Sequence, residues 1–164
     1  GEENDLLQEL VGKLLIKHKK TLSTAESCTG GYISHLITSV SGSSLYYQGS
    51  VICYTNKKKT EQLGVDEKLF SSVGAVSKEV VEEMAVGIKN KFKTDYSIAV
   101  SGVAGPDGGS DDKPVGTVWI AIAKPDGVIS KKYIFENNRE RNIRRAALTA
   151  MNMLRKHLIS YLAD

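Results

Sequence analysis

A hydroxyl and a thiol stand side by side in the segment TAESCTGG at residues 24–31. Ser27 and Cys28 follow a short extended segment, residues 20–25, and precede apolar residues that recur at helical spacing. Open α/β sheets bind ligands at the carboxyl ends of their strands, which is where this segment lies. The first N–H groups of a helix carry positive partial charge and stabilise a nearby anion. A nucleophile at this position therefore suits acyl transfer, whose intermediate carries a negative charge.

A serine hydroxyl is a weak nucleophile near neutral pH, so Ser27 requires a base. The three histidines fall within or at the ends of expected helices, away from every glycine-rich loop: His18, His35 and His157. Three consecutive lysines, Lys57, Lys58 and Lys59, instead follow the strand expected to end at Tyr54. A lysine beside the positive end of a helix has a lowered pKa and can act as a base. The alternative is that the lysines form a solvated helix face and that Ser27 only caps a helix.

Cys28 is the alternative nucleophile, because a helix N-terminus lowers the pKa of an adjacent thiol. It has no convincing histidine partner, which favours a small, packed side chain instead. Cys28 and Cys53 are the two cysteines of the chain and cannot form a disulfide framework. They indicate a reducing, cytoplasmic setting.

A glycine-rich loop at residues 101–109 follows a short apolar strand at residues 96–100. Its four glycines suit a loop whose backbone N–H groups approach a phosphate or carboxylate. An ordinary flexible turn is the alternative. The loop matches neither a Walker A loop nor the dinucleotide fingerprint.

Arginines at the start of the last expected helix are further candidates for anion binding. Arg139, Arg141 and Arg144 could clamp a phosphate from the side. A surface ion pair between Glu140 and Arg144 is equally consistent with the spacing, and we expect Arg145 on a solvated face.

The elements that position these groups follow from hydrophobic spacing and from turn and capping residues. Helical spacing predicts helices at residues 4–18, 29–38, 78–92 and 143–158, and a shorter one from an N-cap at Asn56 to Gly64. Apolar or alternating runs predict strands at residues 20–25, 46–54, 96–100, 115–123 and 128–135, the last two joined as a hairpin. Strands interleaved with helices, plus one hairpin, predict an α/β fold: a three-layer α/β/α sandwich with a mixed β-sheet.

Composition limits the class of protein and of partner. The 164 residues, 41% of them hydrophobic, suit one compact domain over residues 1–164. The net charge of +3 favours an anionic small molecule over a nucleic acid as partner. No apolar run reaches the roughly 20 residues that span a bilayer, so we expect no membrane association. Asp111 and Asp112 lack further ligands at metal-binding spacing, and we expect neither a metal nor another cofactor.

Several motifs occur in one order along the chain: TAESCTGG at 24–31, Tyr-Thr-Asn at 54–56 ahead of Lys59, GAVS at 74–77, SGVAGP at 101–106 and KPVGTV at 113–118. Together they resemble the CinA C-terminal domain family over nearly the whole chain. The resemblance implies an α/β/α enzyme of the bacterial cytoplasm. Its reaction is hydrolysis of the carboxamide of nicotinamide mononucleotide to nicotinic acid mononucleotide and ammonia.

The resemblance also implies an assembly and a longer parent protein. The assembly is a homodimer or a higher homo-oligomer. In many members of the family the domain is the C-terminal half of a longer protein. A non-catalytic nucleotide-binding or regulatory domain of such a protein is the alternative function.

Carried over residue by residue, the resemblance implies Ser27 as the nucleophile and Lys59 as the general base, supported by Tyr54. The choice of base depends on counting from Tyr54 along the motif, and Lys58 is the second choice.

The rest of the expected site consists of backbone donors and substrate contacts. We expect the backbone N–H groups of Thr29, Gly30 and Gly31 to hold the oxyanion. The ribose phosphate is expected toward the loop at residues 102–109. The expected substrate-binding residues are Glu26, Ser101, Gly102, Ala104, Gly105, Thr117, Arg139 and Arg141.

Overall fold

Five short segments form one sheet, and helices cover both of its faces. The computed structural model describes residues 6–161, so residues 4 and 5 of the predicted first helix and both ends of the predicted domain lie outside it. The strands are β1 (Leu22–Glu26), β2 (Tyr47–Ile52), β3 (Tyr96–Gly102), β4 (Thr117–Lys124) and β5 (Gly127–Ile134). The helices are α1 (Leu7–Lys17), α2 (Tyr32–Thr38), α3 (Asn56–Leu63), α4 (Lys68–Ser72), α5 (Lys78–Phe92) and α6 (Arg139–Tyr161), with a 3₁₀ turn at Ser43–Leu45. None of these described helices is both long and apolar enough to cross a membrane.

The order of the strands creates a crevice beside β1. The sheet runs β2-β1-β3-β4-β5, with β1 parallel to both β2 and β3, and with antiparallel pairing from β3 through β5. After β1, the chain therefore forms β2 on one side of β1 and later returns to form β3 on the other side. In α/β sheets, ligands bind at such a point, outside the carboxyl ends of the parallel strands. Here that point lies just after Glu26 of β1 and Gly102 of β3.

The two faces of the sheet differ in side-chain size. On one face, the large side chains of Ile98, Ile120 and Ile122 pack with α1, α2 and α6. On the other face, Ala99 and Ala121 pack against α5. All five residues are fully buried, and the small alanines allow α5 to approach the sheet closely. Helices on both faces of a mixed sheet confirm the predicted three-layer α/β/α sandwich.

Capping geometry changes two of the predicted helix starts. α2 begins at Tyr32 instead of residue 29, because Gly30 and Gly31 have positive φ angles of 59° and 101° that a helix does not accommodate. α3 is capped by the side chain of Thr55, and Asn56 is its first helical residue rather than its cap. α4 is a short helix that the hydrophobic spacing did not predict.

Gly87 lies on α5 against the end of α3, where a Cβ would stand 2.0 Å from the carbonyl oxygen of Leu63. In an open helix, replacing glycine by alanine stabilises by about 1 kcal/mol. For Gly87→Ala we expect the opposite sign, a loss of about 1–3 kcal/mol, because the two helices must separate. In thermal unfolding, each kcal/mol of lost stability lowers Tm by about 2–4 °C. Val86→Ala, at an exposed position of the same helix, is the control, and a raised Tm in Gly87→Ala would contradict this packing.

Candidate active site

A cleft of about 290 Å³ opens at the carboxyl ends of β1 and β3. Five parts of the chain meet there: the turn after β1, the segment from the end of β2 into α3, the segment before α5, the loop after β3 and the start of α6. The lining residues are Ser27, Cys28, Tyr54, Asn56, Lys59, Ala75, Val76, Ser101, Gly102, Val103, Ala104, Gly105, Asp107, Gly108 and Arg139. Larger grooves lie elsewhere on the surface, but this cleft contains both Ser27 and Lys59.

Alternation along β1 directs Ser27 into the cleft. Ala25 packs on the α5 side of the sheet, and Glu26 contacts α2 on the opposite side. Ser27, one residue further, therefore returns to the α5 side. Its backbone N–H donates to the carbonyl of Val100 on β3 at 3.2 Å. The backbone of the predicted nucleophile is thus anchored to a buried strand, while its side chain lines the cleft.

One of the three consecutive lysines faces the cleft. Lys59 is 3% exposed and lines it, whereas the amines of Lys57 and Lys58 lie 3.8 and 2.7 Å from the carboxylate of Glu61 on the solvent side of α3. The hydrogen bond to Glu61 raises the pKa of Lys58, which makes this lysine a poorer base. The structure therefore brings Lys59 to the same cleft as Ser27 and places the other two lysines outside it.

The environment of Lys59 favours its neutral form. Burial lowers the pKa of the Lys59 amine and outweighs the opposite effect of the nearby thiols of Cys53 and Cys28. Among the described residues, the amine makes neither an ion pair nor a hydrogen bond. A lysine with a lowered pKa has more neutral amine at a given pH, and this is the form that accepts a proton.

Arg139 links opposite walls of the cleft. Its Nη1 donates to the carbonyl of Gly105 at 2.8 Å, and its Nη2 donates to the hydroxyl of Tyr54 at 2.7 Å. Tyr54 is 59% exposed, so its ring stands at the mouth of the cleft. A guanidinium group has several donors in one plane, which suits a phosphate entering at this mouth.

The loop after β3 is held in place by side chains on two sides. The Ser101 hydroxyl at its start donates to the carbonyl of Ala75 at 2.8 Å. On the opposite side, the buried Asn142 of α6 donates from Nδ2 to the carbonyl of Ala104 at 2.9 Å. These bonds fix the loop relative to both α6 and the segment before α5.

The same loop offers backbone donors to an anion. The N–H groups of Ala104 and Gly105 have no hydrogen-bond partner among the described residues. Gly105 has a φ of 94°, and a Cβ there would lie 2.4 Å from the side chain of Val115, so the position requires glycine. Free N–H groups beside Arg139 form the kind of surface that binds phosphate or carboxylate.

Cys28 is a packed side chain. It is 7% exposed and belongs to the core on the α1, α2 and α6 face. Burial raises the pKa of its thiol to about 12, although the neighbouring Lys59 acts to lower it. The expectation that the start of the helix lowers this pKa is therefore wrong, because burial dominates. A thiol with this pKa is a poor nucleophile at neutral pH.

The N-terminus of α2 is occupied by Glu26. The Glu26 carboxylate is fully buried and accepts hydrogen bonds from the N–H groups of Ile33 at 2.9 Å and Ser34 at 3.0 Å. Glu26, an expected substrate-binding residue, does not line the cleft, because strand alternation directs this side chain to the opposite side of the sheet.

The expected oxyanion donors are likewise displaced from the cleft. The N–H of Gly30 donates to the carbonyl of Ser27 at 3.0 Å. Thr29, Gly30 and Gly31 are not among the lining residues. They belong to the tight turn between β1 and α2.

Two other expected binding residues also lie outside the cleft. Thr117 donates from Oγ1 to the carbonyl of Pro114 at 2.6 Å and lines a neighbouring groove. Arg141 is exposed and lies 3.6 Å from the carboxylate of Glu136. The expected binding residues that do line the cleft are Ser101, Gly102, Ala104, Gly105 and Arg139.

Val103, Asp107 and Gly108 also line the cleft, as parts of the loop that was expected to approach the substrate phosphate. The cleft further contains three residues that the sequence did not assign to the site, Asn56, Ala75 and Val76. Each of these three lies within one of the ordered motifs. The motifs thus carried a signal for these positions, but their orientation toward one cleft depends on the fold. Within residues 6–161, no group of three or more His, Cys, Asp or Glu side chains is arranged to hold a metal ion.

Comparison with known sequences identifies related proteins. The family model described as CinA C-terminal domain matches residues 4–158. A CinA-like protein of Cytophaga hutchinsonii is 50% identical over 158 residues, which are 96% of this chain and 38% of that protein. A CinA-like protein of Endomicrobium trichonymphae is 46% identical over 160 residues, 98% of this chain and 37% of that protein. The chain thus spans about 38% of the length of the curated relatives it matches.

Solved structures agree with the sequence comparison. The competence damage-inducible protein A (ComA) of Klebsiella pneumoniae subsp. pneumoniae superposes with a TM-score of 0.90 at 34% identity, covering 93% of this chain and 94% of that one. The competence/damage inducible protein CihA of Agrobacterium tumefaciens gives a TM-score of 0.86 at 34% identity, covering 90% and 93%. Motifs, fold and relatives agree, and the chain belongs to the CinA C-terminal domain family.

Proposed function

We propose that this domain is a serine amidohydrolase that converts nicotinamide mononucleotide to nicotinic acid mononucleotide and ammonia. The observation that carries the proposal is the cleft shared by Ser27 and Lys59, in which the lysine is buried and its pKa is lowered. The family resemblance supports the choice of substrate. The cleft volume of about 290 Å³ lies near the lower end for small-ligand pockets, which suits a mononucleotide.

In the proposed reaction, the neutral Lys59 amine accepts the proton of the Ser27 hydroxyl as Oγ attacks the carboxamide carbon. The tetrahedral intermediate collapses when the Lys59 ammonium donates this proton to the departing nitrogen, which leaves as ammonia. A water molecule, deprotonated by Lys59, then attacks the ester on Ser27. This second step releases the carboxylic acid product and restores the hydroxyl.

The oxyanion requires donors other than the start of α2, because Glu26 occupies that helix terminus. The N–H of Cys28 directly follows the nucleophile and donates to no backbone carbonyl among the described residues. In serine hydrolases of the α/β type, the N–H after the nucleophile contributes to the oxyanion hole. We assign the Cys28 N–H to that role here.

The substrate phosphate is assigned to Arg139 and the neighbouring N–H groups of Ala104 and Gly105. Arg139→Met is expected to raise KM for nicotinamide mononucleotide by about 10–100-fold, because a hydrogen bond to a charged group contributes roughly 1.5–3 kcal/mol. With nicotinamide riboside, which lacks the phosphate, the change should be small. Ammonia-release kinetics measure KM for both substrates. Arg141→Met, which replaces an exposed arginine of the same helix, is the control. Equal changes for the two substrates would contradict a phosphate contact.

Ammonia release from nicotinamide mononucleotide by the purified domain tests the proposed function. We expect turnover by the wild type and none above background by Ser27→Ala. If the nucleotide raised Tm of the wild type but no ammonia appeared, the domain would be a nucleotide-binding module without turnover.

A further inference from the structure

We propose that Glu26 is a positioning residue, whose carboxylate holds the turn that carries Ser27 in place. The proposal rests on the proposed function of Ser27 as the nucleophile. Glu26 is the last residue of β1, directly before Ser27, and it is fully buried. It touches neither the cleft nor, in the proposed reaction, the substrate, so its effect must pass through the backbone of the turn.

Donors in the turn and in α2 satisfy both oxygens of the carboxylate. Oε1 accepts from the hydroxyl of Thr29 at 2.7 Å and from the N–H of Ile33 at 2.9 Å. Oε2 accepts from the hydroxyl of Ser34 at 2.5 Å and from its N–H at 3.0 Å. Three of these four hydrogen bonds join the end of β1 to the first turn of α2, and the fourth, from Thr29, holds the turn itself. The turn at residues 27–31 is therefore closed at both ends.

The local sequence explains why this task falls to a strand residue. The N-cap position of α2 is Gly31, which has a φ of 101° and no side chain to accept the first N–H groups of the helix. The acceptor must come from elsewhere, and the buried negative charge of Glu26 also complements the positive end of the helix. A neutral or shorter side chain would leave buried N–H groups without a partner.

The turn is also bonded to the sheet on the side of the nucleophile. The N–H of Ser27 donates to the carbonyl of Val100, and the N–H of Gly30 donates to the carbonyl of Ser27. With Glu26 holding the other end, the backbone that carries Ser27 is restrained on both sides. Misplacement of a reacting group by about 1 Å costs on the order of 100-fold in rate, so such a restraint affects kcat.

Glu26→Gln and Ser34→Ala test the proposal. Gln retains one oxygen acceptor, but its amide group faces N–H donors, and we expect kcat per folded molecule to fall about 100-fold. Ser34→Ala removes one donor without placing a new polar group, and we expect a fall of roughly tenfold. KM is expected to stay within about twofold for both, since neither residue contacts substrate. Ser39→Ala removes an exposed hydroxyl from the C-cap position of the same helix and is the matched control.

Hydrogen exchange of the peptide covering residues 27–34 supplies a readout that does not depend on activity. Faster exchange in Ser34→Ala than in Ser39→Ala, together with the loss of kcat, supports the proposal. If Ser34→Ala matches Ser39→Ala in kcat per folded molecule, or only Tm falls, the role of Glu26 is structural alone and the proposal is overturned.

Two further outcomes separate this proposal from the proposed function. If Glu26→Gln does not fold, the kcat and hydrogen exchange of Ser34→Ala, compared with those of Ser39→Ala, decide whether the proposal holds. If the wild type releases no ammonia, the proposed function fails, and exchange in Ser34→Ala still shows whether the carboxylate holds the turn. Unchanged exchange in that case would overturn the positioning role as well.

Discussion

Ser27→Ala is expected to reduce ammonia release from nicotinamide mononucleotide by about 10⁴-fold or more, because the reaction loses the atom that forms the covalent bond. The change removes one oxygen that makes no hydrogen bond to another described residue. Folding should therefore be retained, with Tm close to that of the wild type. Paired activity assays and thermal melts at one pH measure both quantities.

Cys28→Ala is the control for the adjacent position. The Cys28 thiol has a pKa of about 12 and packs in the core, so its removal should leave turnover within a few-fold of the wild type. Loss of the packed sulfur should lower Tm instead, because large-to-small changes in a core leave a cavity. The reverse pattern, with Ser27→Ala active and Cys28→Ala inactive, would identify the thiol as the nucleophile.

Lys59→Met is expected to reduce turnover by about 10²–10⁴-fold, the usual contribution of a general base. Methionine fills a similar volume without the amine, so the loss should reside in kcat. Lys58→Met, which removes a solvent-exposed amine bonded to Glu61, should leave activity near the wild-type value. Equal losses in the two variants would contradict the choice of Lys59 as base.

The same Lys59→Met variant should be more stable than the wild type at neutral pH. Burial lowers the pKa of Lys59 in the folded state. At pH values between that pKa and the usual lysine value, the unfolded chain therefore binds more protons than the folded protein. Wild-type stability therefore rises with pH through this window, and at lower pH the fold bears the cost of a buried charged amine. We expect Tm of Lys59→Met to exceed that of the wild type at pH 7 and the difference to shrink as pH rises. A Tm difference independent of pH would contradict a buried, titrating Lys59.

The pH dependence of wild-type turnover follows from the same shift. The rate should rise with pH as Lys59 loses its proton, and this rise should occur below the pH at which an exposed lysine titrates.

Local spacing in the sequence was sufficient to predict the fold class and to place Ser27, the proposed nucleophile, directly after a strand. Helical and alternating hydrophobic patterns, such as those of α5 and of the β4–β5 hairpin, depend on residues close in the chain, and they predicted the three-layer sandwich. The segment at residues 24–31 spans the end of β1 and the turn before α2, as the same local patterns predicted. Motif order was also enough to indicate the family.

The tertiary structure decided which side chains meet. Three consecutive lysines look equivalent in the sequence, and only the packing of α3 buries Lys59 and leaves its neighbours with Glu61. Arg139 lines the cleft and Arg141 does not, since residues two apart on a helix point in different directions.

Hydrogen bonding and burial in the fold also changed two expectations at residues 24–31. The sequence predicted free N–H groups at the start of α2 and a Cys28 thiol with a lowered pKa. Both predictions hold only if no other group contacts the turn. In the fold, the Glu26 carboxylate takes the first N–H groups, and core packing raises the pKa of the thiol. The sequence by itself determined that Ser27, the proposed nucleophile, follows β1. Hydrogen bonding across the turn, and burial by elements distant in the chain, decided its surroundings and brought Lys59 to the same cleft.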